Sequence, residues 1–232
     1  MSWSAVGGII HATTSTFSLT PGGAGDLILL EVTTGNATSS CTGVSSSNVT
    51  WIQVGTTFTG SGNPNAASVF AGTVTSTSTQ TVTLSFSGAP STIRADGQEF
   101  SSTAGSWAID GSQGNLDTGA TNTWVSLTPS ASGALYWGYA FDSGTATAGS
   151  TPGYVYVPDA NGNGMAYNLS CASGVATAPV WGDSGFAFGI MVLMKETGTI
   201  PAAGPVLGQR SLPASVAVVA GNSGWRTAGH SR

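Results

Sequence analysis

The segment FSLTPGGAGDLILL at residues 17–30 is the most informative part of the sequence for the architecture, because a related segment, VSLTPSASGALYWG, occurs at residues 125–138. In both copies a β-type run ends at Leu-Thr-Pro, a turn of small residues follows, and an apolar run begins after Gly25 or Gly133. Glycine permits backbone angles that other residues avoid, and Pro, Gly and Ser favour turns. Each copy therefore predicts a strand-turn-strand corner, and the repeat predicts two related halves.

Most other segments are short runs of β-branched or aromatic residues between turn-forming residues. QTVTLSF at residues 80–86 is typical, since apolar side chains alternate there with hydroxyls as in a half-buried strand. No long window has the 3.6-residue period of a capped helix. The sequence predicts an all-β, jelly-roll-like antiparallel sandwich over residues 1–196, built from both halves and with residues 101–120 as the crossover.

The composition excludes several classes of protein. Charged residues make up 6% of the 232 residues, where a soluble domain carries about 25%, and polarity comes mostly from 63 Ser and Thr and 34 Gly. A net charge of −5 argues against nucleic acid, whose phosphates are bound by clustered Lys and Arg. The N-terminus does not read as a secretory signal, and no apolar stretch approaches membrane-spanning length, so we expect no membrane partner.

The character of the chain changes near Glu196. Residues 1–194 carry one basic and nine acidic residues, whereas residues 195–232 carry four and one and are rich in Gly, Ala and Pro. We interpret residues 197–232 as an extended arm that reaches a neighbouring copy, with LPASVAVVA at 212–220 able to add as a strand. A solvated tail is the alternative. The candidate assembly residues of the arm are Arg210, Leu212, Val216, Val218, Trp225 and Arg226.

The string GDSG at residues 182–185 looks like the nucleophile loop of chymotrypsin-type proteases. That chemistry needs a histidine base beside the serine, and the chain has only His11 and His230, neither in the surroundings of that family. A turn is the favoured interpretation, because Gly, Asp and Ser are turn formers.

The string DANGNG at residues 159–164 resembles the start of a calcium loop, with oxygen ligands at alternate positions. The twelfth position is Ser170 where a bidentate Glu is needed, so a hairpin turn is favoured over weak calcium binding. Four carboxylates around the crossover could supply a glycosidase pair, but Asp beside Gly is mostly a turn former. These are Asp96, Glu99, Asp110 and Asp117. We expect no enzymatic activity and no cofactor.

Aromatic residues are concentrated in the second half. Trp107 and Trp181 flank Gly-rich turns, and we expect them to be accessible to a glycan or an interface, together with Tyr154 and Tyr156. Trp124 and Trp137 lie in regular strand patterns and are expected to be buried. Cys41 and Cys171 are expected to be buried core thiols, with a bridge as the alternative.

Three strings carry a family resemblance: AGDLILLEV at residues 24–32, VTWIQV at 49–54, and the strand end Glu99-Phe100. Together they resemble a β-sandwich module of bacteriophage virion proteins over roughly residues 15–195. The similarity is strongest to small structural proteins of phages infecting actinobacteria, found as minor tail or head-surface proteins. The resemblance implies no catalytic residues and does not extend to the arm.

We therefore expect a virion structural protein, made in the cytoplasm of a bacterial host, whose partners are other virion proteins and copies of itself. A minor tail protein is the first choice. A capsid decoration protein is one alternative, and a module that binds host cell-wall glycan is another.

Overall fold

The computed structural model describes residues 2–60, 65–117, 122–142, 145–159, 162–183 and 187–198. These residues form thirteen strands and no helix, so the all-β prediction is confirmed, and they include no helix that could cross a membrane. The strands of the first half are β1 Trp3–Ala12, β2 Thr16–Leu19, β3 Leu27–Thr34, β4 Cys41–Ser45, β5 Val49–Thr59, β6 Ala66–Val74, β7 Gln80–Phe86 and β8 Ile93–Ser102. Those of the second half are β9 Trp107–Asp117, β10 Ala134–Asp142, β11 Val155–Pro158, β12 Gly164–Cys171 and β13 Ala187–Glu196.

The two halves have the same sheet topology. The first half forms a sheet in the order β1-β8-β3-β6-β5, and the second forms one in the matching order β9-β13-β10-β12-β11, with all neighbouring strands antiparallel. A three-stranded sheet, β2-β7-β4, covers the outer face of the first half. The order β1-β8-β3-β6 against β2-β7-β4 is that of a jelly roll. The predicted sandwich of two related halves is confirmed.

The two five-stranded sheets pack face to face, and we call the layer between them the seam. Strand β3 of the first sheet is covered on both faces. All eight of its residues are buried, as expected for such a strand. Leu27 and Leu29 point into the seam, while Ile28 and Leu30 point into the core under the outer sheet. Each half therefore supplies one complete sheet of the central sandwich.

The glycine of each repeated corner does what the sequence predicts. Gly25 and Gly133 have φ angles of 89° and 77°, in the left-handed region. Each also donates its backbone N–H to the last residue of the equivalent strand, Val74 in β6 or Cys171 in β12, at 2.9 Å. The internal repeat is thus a repeat of backbone hydrogen bonding as well as of sequence.

The crossover between the halves falls within the predicted residues 101–120 but is much shorter than predicted. Only the turn at residues 103–106 joins the halves, and β9 then pairs along β13 at the sheet edge. Strand β9 was missed because it lies at an edge, contains Gly111 and Gly114, and has no strict alternation of apolar residues.

Candidate functional site

The described surface carries almost no charge. None of the Asp, Glu, Lys or Arg side chains that the structure describes is exposed. The few charged side chains are buried or half-buried against other groups. The exposed polar surface consists of hydroxyls, amides and backbone. The buried members are Glu31, Asp96, Glu99 and Glu196, and the half-buried members are Asp26, Arg94, Asp110, Asp159, Asp183 and Lys195.

Most of these acids hold turns and strand ends. Glu99 accepts hydrogen bonds from the backbone N–H groups of Gly22 and Gly23 at 2.9 and 3.2 Å. Asp110 pairs with Lys195 at 2.9 Å. Burial acts to raise the pKa of Asp110, but hydrogen bonds from Ser130 and Lys195 outweigh it, and the pKa is lowered.

Among the side chains that the structure describes, the carboxylate pair considered from the sequence is not assembled, and the side chain of Asp117 lies outside them. Asp96 and Glu99 lie on opposite faces of β8, since side chains three residues apart on a strand point to opposite sides. Asp110 lies in the other central sheet. No two of these three carboxylates face a common substrate position.

Each edge strand of the central sandwich exposes one aliphatic side chain: Ile9 on β1, Ile52 on β5, Ile109 on β9 and Val155 on β11. The register of β1, β5 and β9 is interrupted by bulges, and β11 is short and ends in Pro158. Bulges and proline discourage uncontrolled pairing of sheet edges. At each edge, therefore, an aliphatic side chain is exposed to a partner, while bulges or proline hinder backbone pairing with another strand.

A cavity of about 310 Å³ lies at one end of the seam. The first half contributes His11 from β1 and Asp96 from β8, and the second contributes Tyr139 from β10 and Asp159, which directly follows β11. The remaining lining is apolar and consists of Ile9, Val157, Pro158 and Met165. The cavity thus joins polar groups from both halves inside an apolar frame.

His11 and Asp96 form the centre of this site. They face each other directly in the β1–β8 ladder, with His11 Nδ1 2.5 Å from Asp96 Oδ1. Asp96 is 1% exposed, and its second oxygen, Oδ2, has no hydrogen-bond partner among the described residues. Burial raises the pKa of Asp96, while the hydrogen bond and charge of His11, and then the nearby Tyr139 hydroxyl, oppose that rise.

Tyr139 and Asp159 complete the polar wall. The Tyr139 hydroxyl donates to Asp159 Oδ2 at 3.0 Å, and Asn163 donates to the same carboxylate from its backbone and its side chain at 3.0 and 3.1 Å. Burial, followed by the charges of Asp96 and Asp159, raises the pKa of Tyr139 and keeps its hydroxyl protonated. Strands β11 and β12 pair antiparallel, and the Asp159 backbone N–H donates to the Asn163 carbonyl at 2.8 Å, so the predicted hairpin is confirmed; Ala160 and Asn161 lie outside the described residues.

Glu31 lies beside Asp96 in the next strand and is completely buried. Its Oε2 accepts a hydrogen bond from the backbone N–H of Ile190 in the opposite sheet at 2.8 Å, and its Oε1 accepts one from Thr33 at 3.1 Å. Burial raises the pKa of Glu31 well above its ordinary value. His11, Asp96 and Glu31 therefore form a polar row across three neighbouring strands on the seam face.

The described residues that line the cavity do not form a catalytic triad. Its lining offers a histidine and carboxylates but, among the described residues, no Ser, Thr or Cys to act as nucleophile. Ser184 of the GDSG string lies outside the described residues, and His11 is engaged with Asp96. Asp183 of that string accepts hydrogen bonds from Thr147 and Asn122 at 2.9 and 3.1 Å.

The accessibility predicted for Trp181 is wrong. Its ring is 3% exposed and packs between Trp124 at 5.2 Å and Tyr156 at 5.1 Å, because the turn that carries it folds onto the outer face of the second sheet. Tyr154 and Tyr156 are half-buried against the same cluster, and Trp107 is half-buried against the seam.

Two further predictions about the core are confirmed. Trp124 and Trp137 are buried, and so are Cys41 and Cys171, which are free thiols. The arm residues Arg210, Leu212, Val216, Val218, Trp225 and Arg226 lie outside the described residues, so the interpretation of the arm stays a prediction.

The seam cavity and the role of Glu31 were not predicted from the sequence. The available signals were a single histidine within the first 229 residues and one acid inside the apolar run LILLEV. Neither signal names a partner, because 85 residues separate His11 from Asp96. No protein-family model, curated protein or solved structure matches this chain.

Proposed function

We propose that this chain is a non-enzymatic structural protein of a bacteriophage virion, joined to neighbouring subunits through its sandwich surfaces and its C-terminal arm. The observation that carries the proposal is the surface, on which no charged side chain is exposed among those the structure describes. Surfaces of soluble monomers are normally about 25–35% charged, and that charge keeps them soluble and apart.

An uncharged surface suits permanent contacts. Charged groups lose their hydration when an interface forms, and they are depleted from interface cores. Hydroxyls and backbone amides are cheaper to desolvate and find partners easily. The exposed Ile9, Ile52, Ile109 and Val155 add apolar area at four separate edges, which suits a subunit with several neighbours.

The arm supplies a complementary segment. It is mildly basic where the body is acidic, and its Leu212, Val216 and Val218 are the kind of side chains that cover exposed aliphatic residues. The resemblance to phage sandwich modules supports the virion as the location. A minor tail protein is our first choice, with a capsid decoration protein as the alternative.

The first test is deletion of residues 197–232 in a phage that encodes the chain. We expect the truncated protein to fold, with the circular dichroism of the β-sandwich retained, but to be lost from purified particles. In solution, sedimentation velocity should show concentration-dependent assembly of the full chain and none of the truncated chain. A full chain that stays monomeric, or normal incorporation of the truncated one, would overturn the proposal.

A matched pair of surface variants tests the sandwich edges. Ile52→Lys places a charge on the edge strand β5, whereas Thr83→Lys places the same charge on an exposed position of β7, whose two backbone edges are already paired. We expect Ile52→Lys to weaken assembly at least about tenfold, since lysine on an edge strand blocks association. Thr83→Lys should leave assembly unchanged, and equal effects of the two would contradict an edge interface.

Glycan binding is less well supported by the geometry. A stacking platform needs an open aromatic face, and Trp181 is 3% exposed. Binding of the truncated monomer to cell-wall glycan on an array, together with no assembly of the full chain, would favour this second function instead.

A further inference from the structure

The seam cavity brings together three side chains of metal-ligating type. One ligand atom each from His11, Asp96 and Asp159 lie within 4.8 Å of one another. Two come from the first half of the chain and one from the second. Imidazole nitrogen combined with carboxylate oxygen is a donor set used for divalent transition metals.

A second observation points to a ligand at this place. Asp96 is 1% exposed, and its Oδ2 accepts no hydrogen bond in the described part of the chain, because the nearby hydroxyl of Tyr139 donates its single proton to Asp159. An unpartnered carboxylate oxygen away from water is costly, and native proteins normally satisfy such atoms.

The geometry points to a divalent transition-metal site, with Zn²⁺ as the preferred ion, formed by His11 Nδ1, Asp96 and Asp159 across the seam. Calcium is disfavoured, because it takes six to eight oxygen ligands and the cluster offers an imidazole. Three protein ligands leave one tetrahedral position for a water molecule in the cavity. This inference does not depend on the proposed role in the virion.

Binding of Zn²⁺ would require only local movement of the ligand side chains. Zn²⁺ bonds of about 2.0–2.1 Å place tetrahedral ligand atoms about 3.3 Å apart, so His11 Nδ1 and Asp96 Oδ1 must separate from 2.5 Å while Asp159 moves inward. His11 lies on an edge strand with its side chain 38% exposed, and Asp159 lies in a hairpin. The hydroxyl of Tyr139 already orients the Asp159 carboxylate, as outer partners do in metal sites.

An ion at this position would link the two halves, because its ligands come from both central sheets. The first experiment is titration of the full, metal-stripped chain with Zn²⁺ by isothermal calorimetry, with Ca²⁺ as the contrasting probe. We expect one Zn²⁺ per chain, no Ca²⁺ at the same concentration, and a rise in Tm as Zn²⁺ is added. Binding of Co²⁺ should give the intense visible absorption typical of tetrahedral sites.

Paired variants locate the ion. His11→Gln should weaken Zn²⁺ binding at least about 100-fold and remove the Tm shift, while His230→Gln should change neither, since His230 is the other histidine of the chain. Asp159→Asn should also weaken binding, and Asp110→Asn, the same change at a carboxylate in β9, should not. His11→Gln is the primary variant, because Asp159 also holds its hairpin turn.

Three outcomes would overturn the inference. They are no Zn²⁺ binding at millimolar concentration, binding that survives His11→Gln, and binding of Ca²⁺ in preference to Zn²⁺. Circular dichroism of each variant checks that a loss of binding is not a loss of fold.

Discussion

Glu31 in β3 accepts a hydrogen bond at 2.8 Å from the backbone N–H of Ile190 in β13, across the seam between the two halves. The carboxyl group is fully buried, and Thr33 satisfies its other oxygen. The bond is directional, whereas the surrounding apolar packing is not. It therefore helps to fix how the two sheets are aligned.

The Glu31 link gives the first prediction. Glu31→Gln keeps an oxygen that can accept from Ile190 and should change the free energy of unfolding by less than about 1 kcal/mol. Glu31→Ala leaves the Ile190 N–H unpaired beside a cavity and should cost about 3 kcal/mol, measured by urea denaturation. Thr33→Val should cost about 1 kcal/mol. Equal losses for Gln and Ala would show that the hydrogen bond is not what matters.

Gly97 should not tolerate a side chain. A Cβ atom there would lie 2.3 Å from the backbone oxygen of Leu29, where β8 and β3 approach closely. We expect Gly97→Ala to lower the free energy of unfolding by more than about 2 kcal/mol, because backbone cannot move aside cheaply. Gly111 in β9 has no heavy atom within 4 Å of its Cβ position, so Gly111→Ala should change stability by less than about 0.5 kcal/mol. A mild Gly97→Ala would contradict the close approach.

The pH dependence of stability should reveal Asp26. Burial, then the hydrogen bond and charge of Glu99, raise the pKa of Asp26 from 3.8 to about 6. The folded state therefore holds an extra proton between these values, so this contribution to stability is present below pH about 4 and is lost as pH rises to about 6. Since Asp26 is partly exposed, we expect about 1 kcal/mol.

The measurement is the difference in unfolding free energy between the parent chain and Asp26→Asn at several pH values. That difference should fall as pH rises from about 4 to 6. Asp110→Asn is a control of opposite sign, because the lowered pKa of Asp110 stabilises the fold above the unfolded pKa and this is lost in acid. A flat difference for Asp26→Asn would contradict the shift.

The two cysteines should be unreactive in the folded protein. Burial raises the pKa of both Cys41 and Cys171 to about 11, so the thiolate is scarce at pH 8. We expect labelling by a disulfide reagent to be at least about 100-fold slower than in urea, where two thiols should react per chain. Rapid labelling of the native chain would show that one thiol is accessible.

The regular strands were predictable from the sequence because their apolar residues alternate or run continuously. Residues 80–86 form β7 with buried Val82 and Leu84 between exposed residues, as predicted. Strand β9 was not predicted, since it lies at a sheet edge and contains Gly111 and Gly114, so that its apolar residues have no clear period. Residues 123–127 look like a strand but form only isolated bridges.

The seam site could not be predicted from the sequence for a different reason. His11, Asp96 and Asp159 become neighbours only when the first sheet packs on the second, and no local pattern encodes that contact. Trp181 was misjudged because a Gly-rich turn usually marks the surface, whereas this turn folds back over the second sheet. Both the assembly of the seam site and the burial of Trp181 depend on packing between residues that are far apart in the sequence.

The backbone passes between the two central sheets in the described chain only at the turn after Ser102, which contains the exposed Gly105. A protease cut at that glycine would leave two fragments, each with its own five-stranded sheet. Such fragments would have the relationship of two subunits in a dimer.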